Sequence, residues 1–334
     1  MDGAMILEWV IKSIIIILVM TVGFAYVTLY ERRALARIQV RIGPNRAGPF
    51  GVLQPVADGI KLIFKEELIP ANADKLIFVL APVLTVIPAL IITAVVPWGT
   101  EVTLFSRTIK LYLADVNIAV LYLMAVTSIS VYGITLAGWS SNNKYATLGS
   151  LRAVAQMISY ELALGFSMIV PVMMAGSMSL VDIVEKQKTV WFALVQPLAF
   201  VIYFMAALAE INRAPFDMPE AEQELTAGYH TEYSGMKFAL FFMAEYIKMI
   251  AISMIGASLF LGGYRGPFID QYPALGPLYL FIKVVVVLFI IIWIRATLPR
   301  IRYDRLMQLG WKILFPLALL NVFVTGVVLV LVGG

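Results

Sequence analysis

Three glutamates, Glu161, Glu210 and Glu245, lie in or at the edge of hydrophobic stretches of the sequence. A carboxylate inside a bilayer costs about 2.5–3.5 kcal/mol on insertion scales, and such residues usually mark a path for protons or ions. The three side chains converge if the fourth, fifth and sixth predicted membrane helices pack together. They are the first candidates for proton carriers.

Glu161 and Glu245 also have structural interpretations. Glu245 and Lys248 are three residues apart on one helical face, so they could form an internally neutralised pair. Glu161 has no cation within four residues, and its alternative is a protonated, hydrogen-bonded acid. Both interpretations remain open at the level of the sequence.

An acidic linker extends from Glu210 to Tyr233. Its acids face a single cation, Arg213; they are Glu210, Asp217, Glu220, Glu222, Glu224 and Glu232. Glu220 and Glu224 would share a helical face with Glu222 nearby, and like charges at that distance titrate as a coupled group with some pKa values raised. Raised pKa values suit carboxylates to proton transfer near neutral pH. The alternative is a solvated acidic loop, which Phe216, Met218 and several prolines within the linker disfavour.

A basic segment spans residues 31–51. Arg33, Arg37 and Arg41 are four residues apart and stack on one face if the first helix extends beyond the bilayer. The segment could attract an anionic partner or a polar headgroup, or it could serve only as a topology signal that contacts lipid phosphates. Its glycines and prolines predict a shaped, turn-rich connection, which a topology signal does not need.

The composition predicts a polytopic membrane protein, since 61% of the 334 residues are hydrophobic and 14% are charged. The sequence has no cysteine and one histidine, His230, which excludes disulfides, cysteine-ligated iron–sulfur clusters and a histidine-rich metal site. Any flavin, cluster or metal must therefore belong to a partner. His230 lies beside acids and could titrate near neutrality, but a lone histidine is more often structural.

Hydrophobic runs of about 20 residues predict eight transmembrane helices in a single all-α membrane domain covering residues 1–334. Their predicted bounds are 6–29, 76–97, 116–137, 154–175, 190–209, 236–262, 277–297 and 312–332. The first run is longer than the hydrophobic core of a signal peptide, so we expect it to remain in the protein as a membrane helix and not to be cleaved off. Apolar residues at helical spacing over 50–68 predict an amphipathic helix lying in the membrane interface.

Lysine and arginine are concentrated in the first and last linkers. The positive-inside rule then places the odd-numbered linkers in the cytoplasm and both termini outside, on the periplasmic side of a bacterial plasma membrane.

Four long segments, in order, carry a resemblance to a known family: 31–66 (with RIGPNRAGP), 138–161, 210–246 and 295–312. They closely resemble the membrane subunits that form the quinone site of proton-pumping NADH:quinone oxidoreductase, respiratory complex I. The resemblance runs nearly end to end. It implies flavin and iron–sulfur clusters in a peripheral arm made of other subunits, a quinone as substrate, lipid contact, and no nucleic acid.

The resemblance also implies roles for individual residues. Quinone would enter between the first helix, the amphipathic helix and the sixth helix, past Glu31, Arg32, Arg41, Asp58, Gly59, Lys61 and Phe64, with Arg295 and Arg300 near the mouth. The acidic loop with Asp217, Glu220, Glu222 and Glu224 would border the quinone chamber. Glu161, Glu210 and Glu245 would link that chamber to the pumping subunits.

One departure concerns the third predicted helix, where some relatives carry a further acid. This chain has none there, and Ser128 and Ser130 are its mid-helix polar groups, so water or hydroxyl groups would have to continue the relay. Two other functions fit parts of the pattern: the equivalent subunit of a membrane-bound hydrogenase, and a stand-alone proton-coupled carrier. The lack of internal repeats argues against the carrier, and RIGPNRAGP with the amphipathic helix favours the quinone enzyme.

Overall fold

The protein spans the membrane several times. In a computed structural model that describes residues 3–104, 107–218 and 226–333, seven helices are long and apolar enough to cross a bilayer. These are Ile6–Ile38, Lys75–Val95, Ala119–Ser140, Lys144–Ala175, Gly235–Phe260, Pro273–Thr297 and Tyr303–Val332.

The helices are numbered here in chain order. They are α1 Gly3–Ile38, α2 Gln54–Phe64, α3 Lys75–Ile91, α4 Ala119–Ser140, α5 Lys144–Ala175, α6 Leu180–Lys186, α7 Phe192–Val195, α8 Pro197–Glu210, α9 Gly235–Phe260, α10 Gly276–Thr297, α11 Tyr303–Gln308 and α12 Phe315–Gly333. A π-helical segment, Leu309–Leu314, joins α11 to α12.

The predicted fifth membrane helix, 190–209, is interrupted. Gln196 has non-helical φ and ψ angles of −127° and 63° and separates α7 from α8. Pro197 explains the break, because proline disfavours a helical conformation in the residue before it. Proline is also favoured at the first position of a helix, so α8 can begin at Pro197. The 14 residues of α8 reach about 21 Å, less than the roughly 30 Å of a hydrocarbon core. The described chain therefore has seven long spans and one short apolar helix where eight transmembrane helices are predicted.

The predicted amphipathic helix is present as α2, shorter than the predicted 50–68. It begins at Gln54 with a proline in its first turn and ends at Phe64, after which Lys65 is extended. None of its residues is buried, and its apolar side chains, among them Val56, Ile60 and Ile63, stay exposed. The helix therefore presents an apolar face that the rest of the described chain does not cover.

A short β-hairpin departs from the all-α prediction. Strands Glu101–Leu104 and Arg107–Lys110 pair antiparallel, with Glu101 opposite Lys110 and Val102 opposite Ile109. Four-residue strands are too short for a search based on 20-residue hydrophobic runs, and their β-branched residues suit a pleated pair.

Helix α9 is at the centre of the packing. It contacts α1, α2, α3, α5, α8 and α10, and every residue from 246 to 260 is buried. Helix α5 packs against α4, α8 and α12, so α4, α5, α8 and α9 surround one shared interior. Helix α1 lies at the periphery, and most of its apolar side chains are exposed.

Two membrane helices extend beyond their predicted cytoplasmic ends, because hydrophobicity marks the apolar core of a span and not its polar extension. Helix α1 continues to Ile38, so Arg33 and Arg37 stand one turn apart on it, whereas Arg41 lies beyond its end. Helix α5 begins at Lys144, ten residues before the prediction, where the side chain of Asn143 caps it by accepting a hydrogen bond from the Tyr145 amide.

Candidate functional site

A charged interior region surrounds Arg213, which is 5% exposed. Its Nε lies 2.5 Å from Glu245 Oε1, and its Nη1 lies 3.4 Å from Glu31 Oε1. Arg295 also pairs with Glu31, and the Arg213 guanidinium lies 4.4 Å from the centre of the Tyr246 ring. We call Glu31, Arg213, Glu245 and Arg295 the Arg213 cluster. Its two carboxylates and two guanidinium groups balance in charge.

Burial disfavours the charged form of Arg213, but the carboxylates of Glu245 and Glu31 outweigh this and raise the pKa of Arg213 above its ordinary value. Arg213 is therefore a permanent positive charge. Any change in the charge of the cluster must occur at its acids.

Gln156 of α5 holds the turn that carries Arg213. Its side-chain amide donates to the carbonyl oxygens of Ala209 at 2.8 Å and Phe216 at 2.7 Å, and to Asn212 Oδ1 at 3.1 Å. Asn212 has a positive φ of 57°, a conformation that asparagine tolerates better than most residues. The end of α8 and the start of the acidic linker are thus fixed to α5.

Asp217 connects the same linker to the segment before α11. Its Oδ2 accepts a hydrogen bond of 2.9 Å from Arg300 Nη2, and the Ile301 amide donates to the Pro215 carbonyl at 3.0 Å. Burial raises the pKa of Asp217 above its ordinary value, and the opposing effect of Arg300 does not cancel this rise. Asp217 is therefore easier to protonate than an exposed aspartate.

The second polar group of the interior surrounds Lys248, which is 7% exposed. Lys248 Nζ donates to Ser130 Oγ of α4 at 2.6 Å, and the charge of Lys248 interacts with those of Glu210, Glu245 and Glu161. The sequence allows an ion pair between Glu245 and its helical neighbour Lys248. In the structure Glu245 instead forms its ion pair with Arg213.

Glu161 and Glu210 flank this lysine. The hydroxyl of Ser128 on α4 donates to Glu161 Oε1 of α5. Glu210, 2% exposed at the end of α8, interacts electrostatically with Lys248 and Glu161. The structure thus brings together the three glutamates of α5, α8 and α9. It also places the two serines of α4 against an acid and a cation.

Asp58 organises the region between α1 and α2. Its carboxylate accepts a hydrogen bond of 2.7 Å from Arg32 Nη1 and one of 3.1 Å from Gln54 Nε2, and it lies 3.7 Å from Lys61 Nζ. The next residue, Gly59, faces open space, because a Cβ placed there would meet nothing within 4 Å. The Asp58 carboxylate therefore ties the amphipathic helix to the C-terminal part of α1.

The other predicted site residues are more scattered. Phe64 is 84% exposed at the end of α2, and Arg41 is exposed and donates to the Gln39 side chain at 2.7 Å. Glu220, Glu222 and Glu224 lie outside the described residues. Within the described ranges, no group of three or more metal-ligating side chains is close enough to hold a metal ion.

Sequence reasoning gives no role to three residues that hold the site together. Arg213 is noticed only as the lone cation of the acidic linker, Lys248 only as a neighbour of Glu245, and Gln156 not at all. A single cation among six acids is a usable signal for Arg213, since a buried acid needs a counter-charge. A glutamine that caps loop carbonyls leaves no comparable trace in the sequence.

His230 is buried and enclosed by aromatic rings, with Phe238 and Phe241 centred 5.5 and 5.3 Å from the imidazole. Burial lowers the pKa of His230 to about 3. The imidazole is therefore neutral near pH 7, in agreement with the structural interpretation.

His230 should make the protein less stable as the pH falls. Its pKa is about 6.5 in the unfolded chain and about 3 when folded, so the unfolded chain binds the extra proton below pH 6.5. We expect a loss of about 2 kcal/mol between pH 7 and pH 5 from this group alone. Thermal unfolding in detergent should show a smaller loss for His230→Phe than for the unmodified protein. An equal loss in both would contradict the assignment.

Comparison with known proteins agrees with this architecture. The family profile described as NADH dehydrogenase matches residues 11–326. The chain belongs to this family. It is 54% identical over 314 residues to the H subunit of NADH-quinone oxidoreductase from Thermomicrobium roseum, covering 91% of each chain.

Two further relatives are also H subunits of NADH-quinone oxidoreductases. One from Geobacter metallireducens is 52% identical, over 96% of this chain and 95% of its own. One from Syntrophobacter fumaroxidans is 52% identical over 94% of both chains. The family resemblance inferred from the four long segments is confirmed, and this member of the NADH dehydrogenase family is a multi-pass membrane protein.

Proposed function

We propose that this chain is the bacterial inner-membrane subunit of an NADH-quinone oxidoreductase that forms the quinone passage and couples quinone reduction to proton movement. The observation that carries the proposal is the run of interacting charges from Glu31 through Arg213 and Glu245 to Lys248, Glu210 and Glu161. Such a run, held between buried helices, can pass a change of charge at one end to the other end.

The passage lies between α1, α2 and α9, which contact one another. The exposed apolar face of α2 suits the membrane interface, where a lipophilic quinone is concentrated. Asp58 and Arg32 lie beside the open space at Gly59, and Arg295 lies in the last turn of α10, where it pairs with Glu31. Both termini lie on the periplasmic side, as the distribution of lysine and arginine indicates.

The coupling begins when a doubly reduced quinone takes up protons. Asp217 is a suitable nearby donor, because its pKa is raised and Arg300 can stabilise the carboxylate that proton loss creates. A new negative charge there acts on the Arg213 cluster, since Asp217 interacts electrostatically with Glu245 and Arg213. The change then reaches Lys248 and the pair of Glu161 and Glu210.

Glutamine at Glu210 or at Glu245 should reduce quinone-linked proton pumping by about 10²-fold, the lower end for loss of a positioned acid–base group. Electron transfer from NADH to a water-soluble artificial acceptor should remain intact, because that reaction needs only the peripheral arm. Both rates would be measured in inverted membrane vesicles.

Glu232→Gln is the matched control. This acid lies in the same linker, but its partner is the neutral amide of Asn143 at 2.5 Å. We expect pumping close to that of the unmodified enzyme. Full pumping in both Glu210→Gln and Glu245→Gln would overturn the proposed function.

A further inference from the structure

We propose that Lys248 is a positioning residue of the proton path: its ammonium balances one of the two carboxylates Glu161 and Glu210, so that this pair carries a single transferable proton. The inference rests on the proposed coupling function and adds a cation to it. When the proton passes from one carboxyl group to the other, the ammonium stays charged and remains with the new carboxylate.

The first argument is the placement of Lys248. It lies on α9 among residues that are all buried, and its Nζ has the hydroxyl of Ser130 as a hydrogen-bond acceptor at 2.6 Å. A neutral hydroxyl does not compensate a buried ammonium, which needs a negative partner to remain charged. Only the surrounding carboxylates can provide this.

The second argument is the set of charges that face Lys248 from the helices around it. Glu161 comes from α5, Glu210 from α8 and Glu245 from α9 itself. Helix α4 contributes Ser130, and α3 has one ionisable residue, Lys75, at its first position. Helices α1 and α10 contribute Glu31 and Arg295 to the Arg213 cluster, while the acids Asp58 of α2 and Glu185 of α6 are paired with Arg32 and Arg265.

The third argument is the sum of these charges. Glu31 and Glu245 are already balanced by Arg213 and Arg295. Lys248 is left with two carboxylates, Glu161 and Glu210, which also interact with each other. Two negative charges beside a single ammonium would leave an uncompensated charge, whereas one cation and one proton together make the group neutral.

The serines of α4 support the same assignment. Ser128 donates to Glu161, and Ser130, two residues later, accepts from Lys248. A hydroxyl can both donate and accept, so it follows a change of protonation by rotating. Helix α4, which has no acid, thus contributes one hydroxyl to Glu161 and one to Lys248.

The experiment compares Lys248→Met, Lys248→Arg and Lys283→Met in the assembled enzyme in inverted membrane vesicles. Lys283 is the control, because it is a partly buried membrane lysine whose Nζ donates to the Gly263 and Arg265 carbonyl oxygens, at 2.8 and 2.7 Å, and lies 5.3 Å from the centre of the Trp191 ring. Proton pumping with a quinone would be measured from pH 6 to pH 9, together with NADH oxidation by an artificial acceptor.

Lys248→Met should shift the pH profile of pumping upward by about one unit and lower the rate at pH 7 about tenfold, because the positive charge that balances the carboxylate of the pair is removed. Lys248→Arg keeps the charge and should keep the profile. Lys283→Met should leave the profile where it is. In all three variants, oxidation of NADH by the artificial acceptor should be unchanged.

An unshifted profile in Lys248→Met, even with a lower rate, would mean that the lysine is only structural and would overturn the inference. Equal shifts in Lys248→Met and Lys283→Met would overturn it as well. If Glu210→Gln and Glu245→Gln lose pumping while Lys248→Met keeps its profile, this inference fails alone. If both glutamate variants pump fully, the proposed function fails with it.

Discussion

Replacing Arg213 by methionine should destabilise the subunit by about 3–5 kcal/mol and abolish quinone-linked turnover. The reason is that Arg213 is the partner of two largely buried carboxylates, with Glu31 at 5% and Glu245 at 11% side-chain exposure. Removing one member of a buried ion pair leaves an uncompensated charge in a medium that solvates it poorly. The loss of the stacking on Tyr246 adds to this.

The measurement is thermal unfolding of the purified complex, together with the amount of this subunit retained in it. Arg302→Met is the matched control, because Arg302 pairs with Asp304 at 3.0 Å with both side chains mostly exposed. An exposed pair contributes about 0–1 kcal/mol, so this variant should behave almost normally. Equal effects in the two variants would mean that burial of the Arg213 cluster contributes nothing.

Replacing Gly133 by alanine should separate α3 from α4 and destabilise the protein by about 1–3 kcal/mol, the typical cost of overpacking. A Cβ at Gly133 would come within 2.4 Å of Thr85 Cγ2 and 2.9 Å of the Ala81 carbonyl oxygen. Backbone atoms cannot move aside as a flexible side chain can. Because α4 also carries Ser128 and Ser130, pumping should fall with stability.

Gly165→Ala provides the matched control for this helix contact. It is also a glycine inside a membrane helix, but a Cβ there would come 3.2 Å from the terminal methyl group of Met124, which can shift. Since alanine favours a helix over glycine by about 1 kcal/mol, Gly165→Ala should be neutral or slightly stabilising. Thermal unfolding of both variants tests the prediction, and an opposite order of stability would contradict it.

The membrane architecture follows largely from hydrophobicity, and its errors have local physical causes. A 20-residue apolar window identifies α3, α4, α9 and α10 well, because apolar residues dominate these spans even where α9 carries Glu245 and Lys248. It does not detect the break at Gln196, since Pro197 interrupts backbone geometry without reducing hydrophobicity. It also does not find the N-terminal extension of α5, which is polar, or a hairpin of four-residue strands.

The residues of the site are easier to predict than their partners. Acids in apolar stretches stand out because they are costly there, so Glu161, Glu210 and Glu245 are visible in the sequence. Helical spacing suggests only local partners and therefore pairs Glu245 with Lys248. In the structure Glu245 pairs with the guanidinium of Arg213, which comes from another segment of the chain. Arg213 is suited to this because it can contact Glu245 and Glu31 together and also stack on the Tyr246 ring.

The ion pair between Glu31 and Arg295 also bears on the biogenesis of the protein. Arg213, the other partner of Glu31, follows it by 182 positions and Arg295 by 264, so at 5–20 residues per second the ribosome needs roughly 15–50 s to supply the second cation to an acid that has already been inserted. Until Arg295 is present, Glu31 lacks one of its two cations, and hydration of its carboxylate keeps the end of α1 in the headgroup layer. The Arg213 cluster therefore closes only after α10 has been inserted, as a late step in the maturation of the protein.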